Sequence, residues 1–497
     1  MGIIARQGAK STVVIMFGMV LGYLINLVVY PFCLNPEEIG LVRVLISAGT
    51  MYATFLPFGS NNALIKFYPN YKNNKNGHNG LLSVVLATGL VVGLIALGIL
   101  FLSQNWLYKL YGSQMDSFGH FTAHLAVLML IISFTNILQD YCKTMLRIAF
   151  PFFLKQVVQR ILIATATLIY FLGYTSLTQF VMSIEAAYGL VLIGHILYIL
   201  KLGATKIKFG SPFKSKRERN GFFNFSTFAV ISGLSMILLD NIDILMLGAL
   251  TGFGTSGVYS ISFFIAQVVD VPRRAVMRIS TPVVSQAFKN EEFEKVRSVY
   301  QKSSLNAFFT GAVLLLLIWA NIDSIFSLMP KGEIYSAGKN VVIILGLARL
   351  FDIMFGINGQ ILMMSKYYKY NALFVGILVI LTFFTNLFLI PKFGISGAAY
   401  GTAISILIFN TIKHIFLLRK FNLSPFTSNL VKLAFIFLFI LIIQTVIPQT
   451  NNIWINILIN SLFVIVSFVS LFKILKVKTD LIDQLTLKIS KIIRNGS

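Results

Sequence analysis

Apolar residues run along this chain in stretches of about twenty, each bounded by a short polar or basic interruption. The pattern holds from "STVVIMFGMVLGYLINLVVYPFCL" at 11–34 to "IWINILINSLFVIVSFVSLFKILK" at 453–476. About twenty residues is the length an α-helix needs to cross a bilayer core, and the apolar/polar alternation that a closed β-barrel requires is not seen. Fourteen runs begin near Ser11, Leu41, Leu81, His120, Phe152, Thr178, Phe223, Thr255, Ser303, Asn340, Tyr370, Ser396, Asn429 and Ile453. The chain therefore reads as an all-α polytopic membrane protein with about 14 transmembrane helices. The first run is too long for the apolar core of a cleavable signal, so it reads as a retained span.

Basic residues test the count. With the amino terminus inside, 35 of the 41 Lys and Arg residues fall on inner segments and 5 on outer ones, with Arg349 inside a span. That asymmetry is the positive-inside pattern, and it predicts both termini in the cytoplasm. The net charge of +24 then needs no nucleic acid, because inner loops meet anionic lipid headgroups. Hydrophobic residues make up 57% of the chain and charged ones only 12%, so no soluble domain is expected. Cys33 and Cys142 are predicted at opposite faces, out of disulfide reach. The tail 476–497 places Leu481, Ile482, Leu485 and Ile489 on one helical face and reads as an interfacial helix. "NEEFEKVRSVYQKSS" at 290–304 is expected to be a second one.

The span spacing repeats. From Ser11 and again from Phe223, six spans follow one another at similar intervals, joined by the basic linker "KLGATKIKFGSPFKSKRERNG" at 201–221. Six is even, so both halves start inside and form parallel repeats about an axis along the membrane normal. "IGLVRVLI" opening span 2 matches "SGVYSISF" opening span 8. The predicted organisation is a six-helix lobe at 1–210, a second at 211–428, two additional helices at 429–475 that face lipid, and the tail.

Four stretches carry a family likeness: "LNPEEIGLVRVLI", "DNIDILMLGALTGFGTSGVYSIS", "GINGQILMMSKYYKYN" and "NLFLIPKFGISGAAYGTAIS". On these the chain resembles the polysaccharide-exporter (O-antigen flippase) branch of the superfamily that also holds multidrug-extrusion transporters and lipid II flippases. The resemblance implies two V-shaped lobes and a lipid-linked sugar cargo, undecaprenyl-diphosphate oligosaccharide, moved from the inner to the outer leaflet of the bacterial cytoplasmic membrane. Its implied partners are that lipid, membrane lipids and other polysaccharide-assembly proteins. In "NLFLIPKFGISGAAYGTAIS", Pro391 and Gly394 are expected to end span 11 in a tight turn. Gly397, Gly401 and Ser405 then put small residues on one face of span 12, for close helix packing.

Charges inside spans are the functional candidates. At 1.5 Å rise per residue, Arg160 is placed roughly 12 Å from the inner face and Arg349 roughly 14 Å from the outer face. Each half thus offers one mid-membrane guanidinium for a diphosphate, with Lys155 as an entry contact one turn away. Arg349 and Asp352, three apart, can equally pair with each other. Arg43 and Asp243 are candidates for an outer gate, and Asp240, Asp243, Glu185 and Asp352 for gating or coupling to Na+ or H+. Asp270 is expected to pair locally with Arg273 and Arg274. His124, His195 and His414 read as polar core or interface residues. No nucleophile elbow, phosphate loop or metal triad is found, so neither an enzyme nor a cofactor is indicated. A drug/cation antiporter prefers an acidic cavity, and a membrane polysaccharide polymerase needs a large outer loop. These are the two alternatives.

Overall fold

The computed structural model describes residues 3–71, 80–111, 121–203 and 212–477. Secondary structure among the described residues is helical throughout, with no strand. Eight helices are long and apolar enough to cross a membrane, or ten when each of two bent pairs is counted as one span. The tail from 478 onward lies outside the described residues.

Unit 1, Met1–Ser260, contains α1 (Ile3–Leu24), α2 (Pro36–Phe55), α3 (Ser60–Tyr71), α4 (Leu81–Leu102), α5 (Phe121–Thr144), α6 (Gln159–Phe171), α7 (Leu177–Lys201) and α8 (Lys216–Leu250). It also takes the first half of α9 (Phe253–Gln267). Caps set several starts. At α2 the Glu38 side chain reaches back to the Asn35 backbone N–H at 2.8 Å, with Pro36 opening the helix, which satisfies donors that a helix start otherwise leaves orphaned. At α8 the Ser215 hydroxyl accepts from Glu218 N at 3.2 Å. That cap starts the helix inside the basic linker, seven residues before the apolar run.

The compact unit ends inside α9 rather than at the linker, and two glycines give the reason. A Cβ on Gly40 of α2 would lie 1.7 Å from the Phe253 carbonyl oxygen, and one on Gly257 of α9 would lie 2.0 Å from the Pro36 carbonyl oxygen. The two helix openings whose sequences match therefore lie backbone on backbone. Any side chain at either glycine would force them apart.

Unit 2, Ile261–Ser497, contains the rest of α9, α10 (Val271–Lys289), α11 (Phe293–Ala320), α12 (Lys339–Met354), α13 (Tyr368–Phe421), α14 (Ser428–Gln444) and α15 (Ile453–Ile474). The predicted interfacial helix at 290–304 is corrected here. It is the first part of α11, continuous with the span. Nothing between Phe293 and Ala320 breaks the helix, and Val296 and Tyr300 are fully buried against Val284, Ile357 and Ile361. The last two spans dock on α11 through Phe308, Leu315, Leu433, Phe437, Val464 and Phe468. Polar clasps add to this core. Asn460 donates to the Ala320 carbonyl at 2.8 Å, and Gln444 to Asn460 at 3.1 Å. Val431, Phe435, Leu458 and Leu462 stay exposed, as expected of lipid-facing helices.

Spans 11 and 12 meet within α13 at Gly394, whose φ of 55° and ψ of −132° are non-helical. Only glycine takes that angle without strain. Beyond it, a Cβ on Gly397 would lie 2.2 Å from the Leu389 carbonyl oxygen, and one on Gly401 2.2 Å from Asn386 Oδ1. The small-residue face is an architectural contact, as its spacing implies.

Candidate functional site

In unit 1 the site forms around Arg160, the second residue of α6. The helix that leads into it runs through a π-helical stretch at Leu154–Val158, and the extension of α1 runs through another at Ile25–Val29. Each π stretch packs against the other's helix. π-Turns widen a helix locally and recur at functional sites. Here they leave room for a guanidinium beside Gly22, where a Cβ would stand 2.5 Å from Arg160 Nη1. Arg160 lies within electrostatic range of Arg43 and of the phenols of Tyr188, Tyr30 and Tyr23. Arg43 stacks over the Tyr30 ring, 5.5 Å from its centroid. Among the described residues no carboxylate forms a salt bridge with Arg160, and its Nη1 is buried without a hydrogen-bond partner. The cluster thus holds two cations in a ring of phenols.

Lys155 sits in the π stretch before Arg160 and donates to Asn136 Oδ1 at 2.8 Å. Nearby on α5, Asp140 accepts from Asn61 at 2.8 Å and from Lys143 at 2.6 Å. Glu185 of α7 meets His124 Nδ1 of α5 at 2.7 Å. Asp243 of α8 is 3% exposed and accepts a short hydrogen bond from the Tyr259 hydroxyl, whereas Asp240 is exposed.

Unit 2 carries its charges differently. Asp270, 1% exposed, accepts from Arg273 Nε at 2.5 Å and from Arg274 Nε at 2.8 Å. Arg273 Nη1 extends to Asp352 Oδ2 at 3.3 Å. The other Asp352 oxygen accepts from Asn410 at 2.9 Å, and Asn410 accepts from Asn358 at 2.9 Å. Lys413 is buried, stacked on Phe409 at 4.3 Å, and within electrostatic range of Asp352. Arg349 stands 5.9 Å from the centroid of the Phe263 ring and within range of Asp270. Of the two readings of Asp352, the structure assigns its bonds to Arg273 and Asn410 rather than to Arg349. The expected Asp270 pair is present with both arginines. Beside this network, α11, α12, α13 and α14 enclose an apolar groove of about 520 Å³, lined by Phe308, Leu350, Phe351, Tyr400, Leu407 and Phe437 among others.

Sequence reasoning does not pick out Tyr30, Tyr188, Lys413, Asn410 or the His124–Glu185 pair. Tyrosines are common at membrane interfaces, and a lone Asn in an apolar run gives no sign of its partner. Lys413 is the exception with a signal. It lies within "IFNTIKHIF" (408–416), where a lysine inside a largely apolar run marks a cation within a span.

The family model described as "Polysaccharide biosynthesis protein" matches residues 5–288, and that described as "MatE" matches 229–391. A probable low-salt glycan biosynthesis flippase of Haloferax volcanii is 26% identical over 235 residues, 46% of this chain and 48% of the relative. The chain thus spans about half the length of that curated relative. A lipid II flippase solved in an inward closed conformation superposes with a TM-score of 0.74 at 13% identity, covering 93% of this chain and 98% of that one. An inward-facing multidrug resistance transporter of the MATE family superposes with a TM-score of 0.61 at 14% identity, covering 81% and 94%. These likenesses give the fold, that of multi-pass membrane transporters. With the first model matching more than half of its length, the chain belongs to the polysaccharide biosynthesis protein family.

Proposed function

We propose that the protein moves a polyprenyl-diphosphate-linked oligosaccharide, with undecaprenyl diphosphate as the carrier, from the inner to the outer leaflet of a bacterial cytoplasmic membrane. One repeat rocks against the other, both termini are cytoplasmic, and no bond is made or broken. The observation that carries the reading is Arg160: a guanidinium inside a span, beside Arg43, ringed by phenols and salt-bridged to no carboxylate among the described residues. A diphosphate leaving water for a low-dielectric space is prohibitively costly unless its charge is met, and guanidiniums meet it with strong, often bidentate hydrogen bonds. A cationic drug finds the wrong sign of charge here, which disfavours the antiporter reading. Lys155, in the π stretch before Arg160, extends the cationic cluster within unit 1, and Arg349 is a further substrate candidate in unit 2.

The apolar groove in unit 2 supports a place for the hydrocarbon chain, consistent with the name of the Haloferax relative and with the fold of the lipid II flippase. The Gly40–Gly257 contact between matching helix openings supports an outer closure in which Arg43 and Asp243 take part, while Asp240 and Asp352 are coupling candidates.

The test is to replace Arg160 by Gln and by Lys and to measure surface glycan at matched membrane levels of protein. Gln abolishes export, and Lys restores only part of it, because an ammonium lacks the planar fork. Wild-type export by the Gln variant rejects the reading.

A further inference from the structure

We propose that Asn26 is a specificity-determining residue of the unit 1 site. Its side-chain oxygen accepts a hydrogen bond from the first sugar of the cargo while Arg160 holds the adjoining phosphate. Asn26 sits in the π-helical stretch Ile25–Val29 that continues α1. It is 7% exposed and lies inside a segment, Lys10–Cys33, long and apolar enough to cross a membrane. Its Nδ2 donates to the Gly22 carbonyl at 2.6 Å. A carbonyl accepts only from the nitrogen end of a carboxamide, so this bond settles which end is which. The remaining end is Oδ1, buried without a hydrogen-bond partner among the described residues. A buried acceptor left unmet is destabilising, and nothing in the packing of α1 requires one here.

Gly22 ties this oxygen to the arginine. A Cβ on Gly22 would stand 2.5 Å from Arg160 Nη1, and Gly22 lies one turn before Asn26 on the same side of its helix. The π stretch itself packs against α6, which carries Arg160. Unit 1 therefore gathers an unmet acceptor, Asn26 Oδ1, and an unmet donor, Arg160 Nη1, around a residue with no side chain. The neighbouring amide is committed elsewhere, since Gln159 and Tyr188 are hydrogen-bonded to each other.

This pair calls for a ligand with an acceptor and a donor close together. The inference rests on the reading that Arg160 meets a diphosphate, and it adds what that diphosphate must bear. In a carrier–diphosphate–sugar each phosphate is a diester with one negative charge and no proton to donate. The hydrocarbon has no donor either. Neither part can satisfy Asn26 Oδ1, but a sugar can. Beside the carbon that carries the phosphate, the ring oxygen on one side only accepts. The substituent on the carbon at the other side is the nearest donor, as a hydroxyl or as an acetamido N–H. Arg160 on the phosphate and Asn26 on that substituent thus span the phosphate–sugar junction. A site that hydrogen-bonds such a group rejects an analogue lacking it, because its own polar atom is then stranded.

The experiment is equilibrium binding to the full-length protein in lipid nanodiscs with two probes. One is farnesyl diphosphate carrying glucose. The other carries the deoxyglucose that lacks only the hydroxyl next to the linked carbon. The wild type should bind the first roughly tenfold more tightly. Asn26→Leu, which keeps the volume and removes the acceptor, should bind both alike, and Asn26→Ala gives the same comparison if the leucine variant does not accumulate. Equal affinities in the wild type, the result if a water molecule alone satisfies Oδ1, overturn the proposal. So does a preference that survives in the Asn26 variants, because a merely structural asparagine would weaken both probes together. Arg160→Gln should weaken both probes equally and keep the preference. Unchanged affinity in Arg160→Gln rejects the diphosphate reading of that residue without touching the sugar contact. If the wild type binds neither sugar probe, the sugar contact is overturned, and binding of farnesyl diphosphate itself decides the arginine reading.

Discussion

The two polar clusters of this protein hold similar residues and treat them in opposite ways. In unit 2, Arg273 and Arg274 are bonded to Asp270, and Arg273 reaches on to Asp352, which Asn410 also holds. Even Arg349 has Asp270 within range. In unit 1, Arg160 has Arg43 and phenols around it and a buried nitrogen without a partner. A compensated network is expensive to disturb and tends to fix a conformation. An undercompensated guanidinium inside a span is costly to keep, and an anion bound beside it would lower that cost. The symmetric picture drawn from spacing, one substrate arginine per half, is thus uneven in the structure, with Arg160 the stronger candidate.

The largest effect that separates the clusters is expected at Arg160. Losing a charge-assisted bond to the diphosphate costs roughly ten- to a hundredfold in binding, so Arg160→Gln should abolish surface glycan while the protein still accumulates in the membrane. Near-normal export would remove the distinction between the clusters. Next comes Asp270→Asn, which leaves two arginines facing a neutral group in a buried setting. Arg274 is half exposed and Arg273 keeps Asp352, so the cost falls below the ~3–5 kcal/mol of a fully buried pair and thermal unfolding in detergent should shift downward by a few degrees. An unchanged melting temperature would mean that the unit 2 network is not structural.

A smaller effect is expected from Gly257→Val. The added side chain has no space beside the Pro36 carbonyl, and overpacking of this kind costs about 1–3 kcal/mol. Export should fall severalfold, and the matching change at Gly40 should behave alike. Divergent results would break the pairing of the two helix openings. Ala403→Trp, on the wall of the apolar groove, should lower export severalfold, read as surface glycan at matched protein levels. Arg349→Gln closes the series, with export reduced by only a fewfold.

The legible part of this account is the part set by bulk solvent. Apolar runs give the all-helical membrane fold, and the basic linker and positive-inside count give an orientation to test. The glycines of 394–401 announce a kink and a close contact before any coordinate is known. The segment 290–304 was misread because its amphipathic face suits a lipid surface and a protein surface equally well, and only Val296 and Tyr300 buried against Val284 and Ile361 decide between them. The arginine cluster was half legible. A charge inside a span is conspicuous at Arg160, but its surroundings depend on two π stretches that no local pattern of Ile25–Val29 or Leu154–Val158 encodes. Tertiary juxtaposition also made Glu185 and His124, 61 residues apart in the chain, a pair.

The central claim is that unit 1, through Arg160, holds the diphosphate. Equilibrium binding of farnesyl diphosphate to the purified full-length protein in nanodiscs tests it most directly, with Arg160→Gln and Arg349→Gln compared side by side. The account predicts a loss of roughly tenfold or more for Arg160→Gln and a change of no more than about threefold for Arg349→Gln. Equal losses, or a larger loss at Arg349, would contradict it.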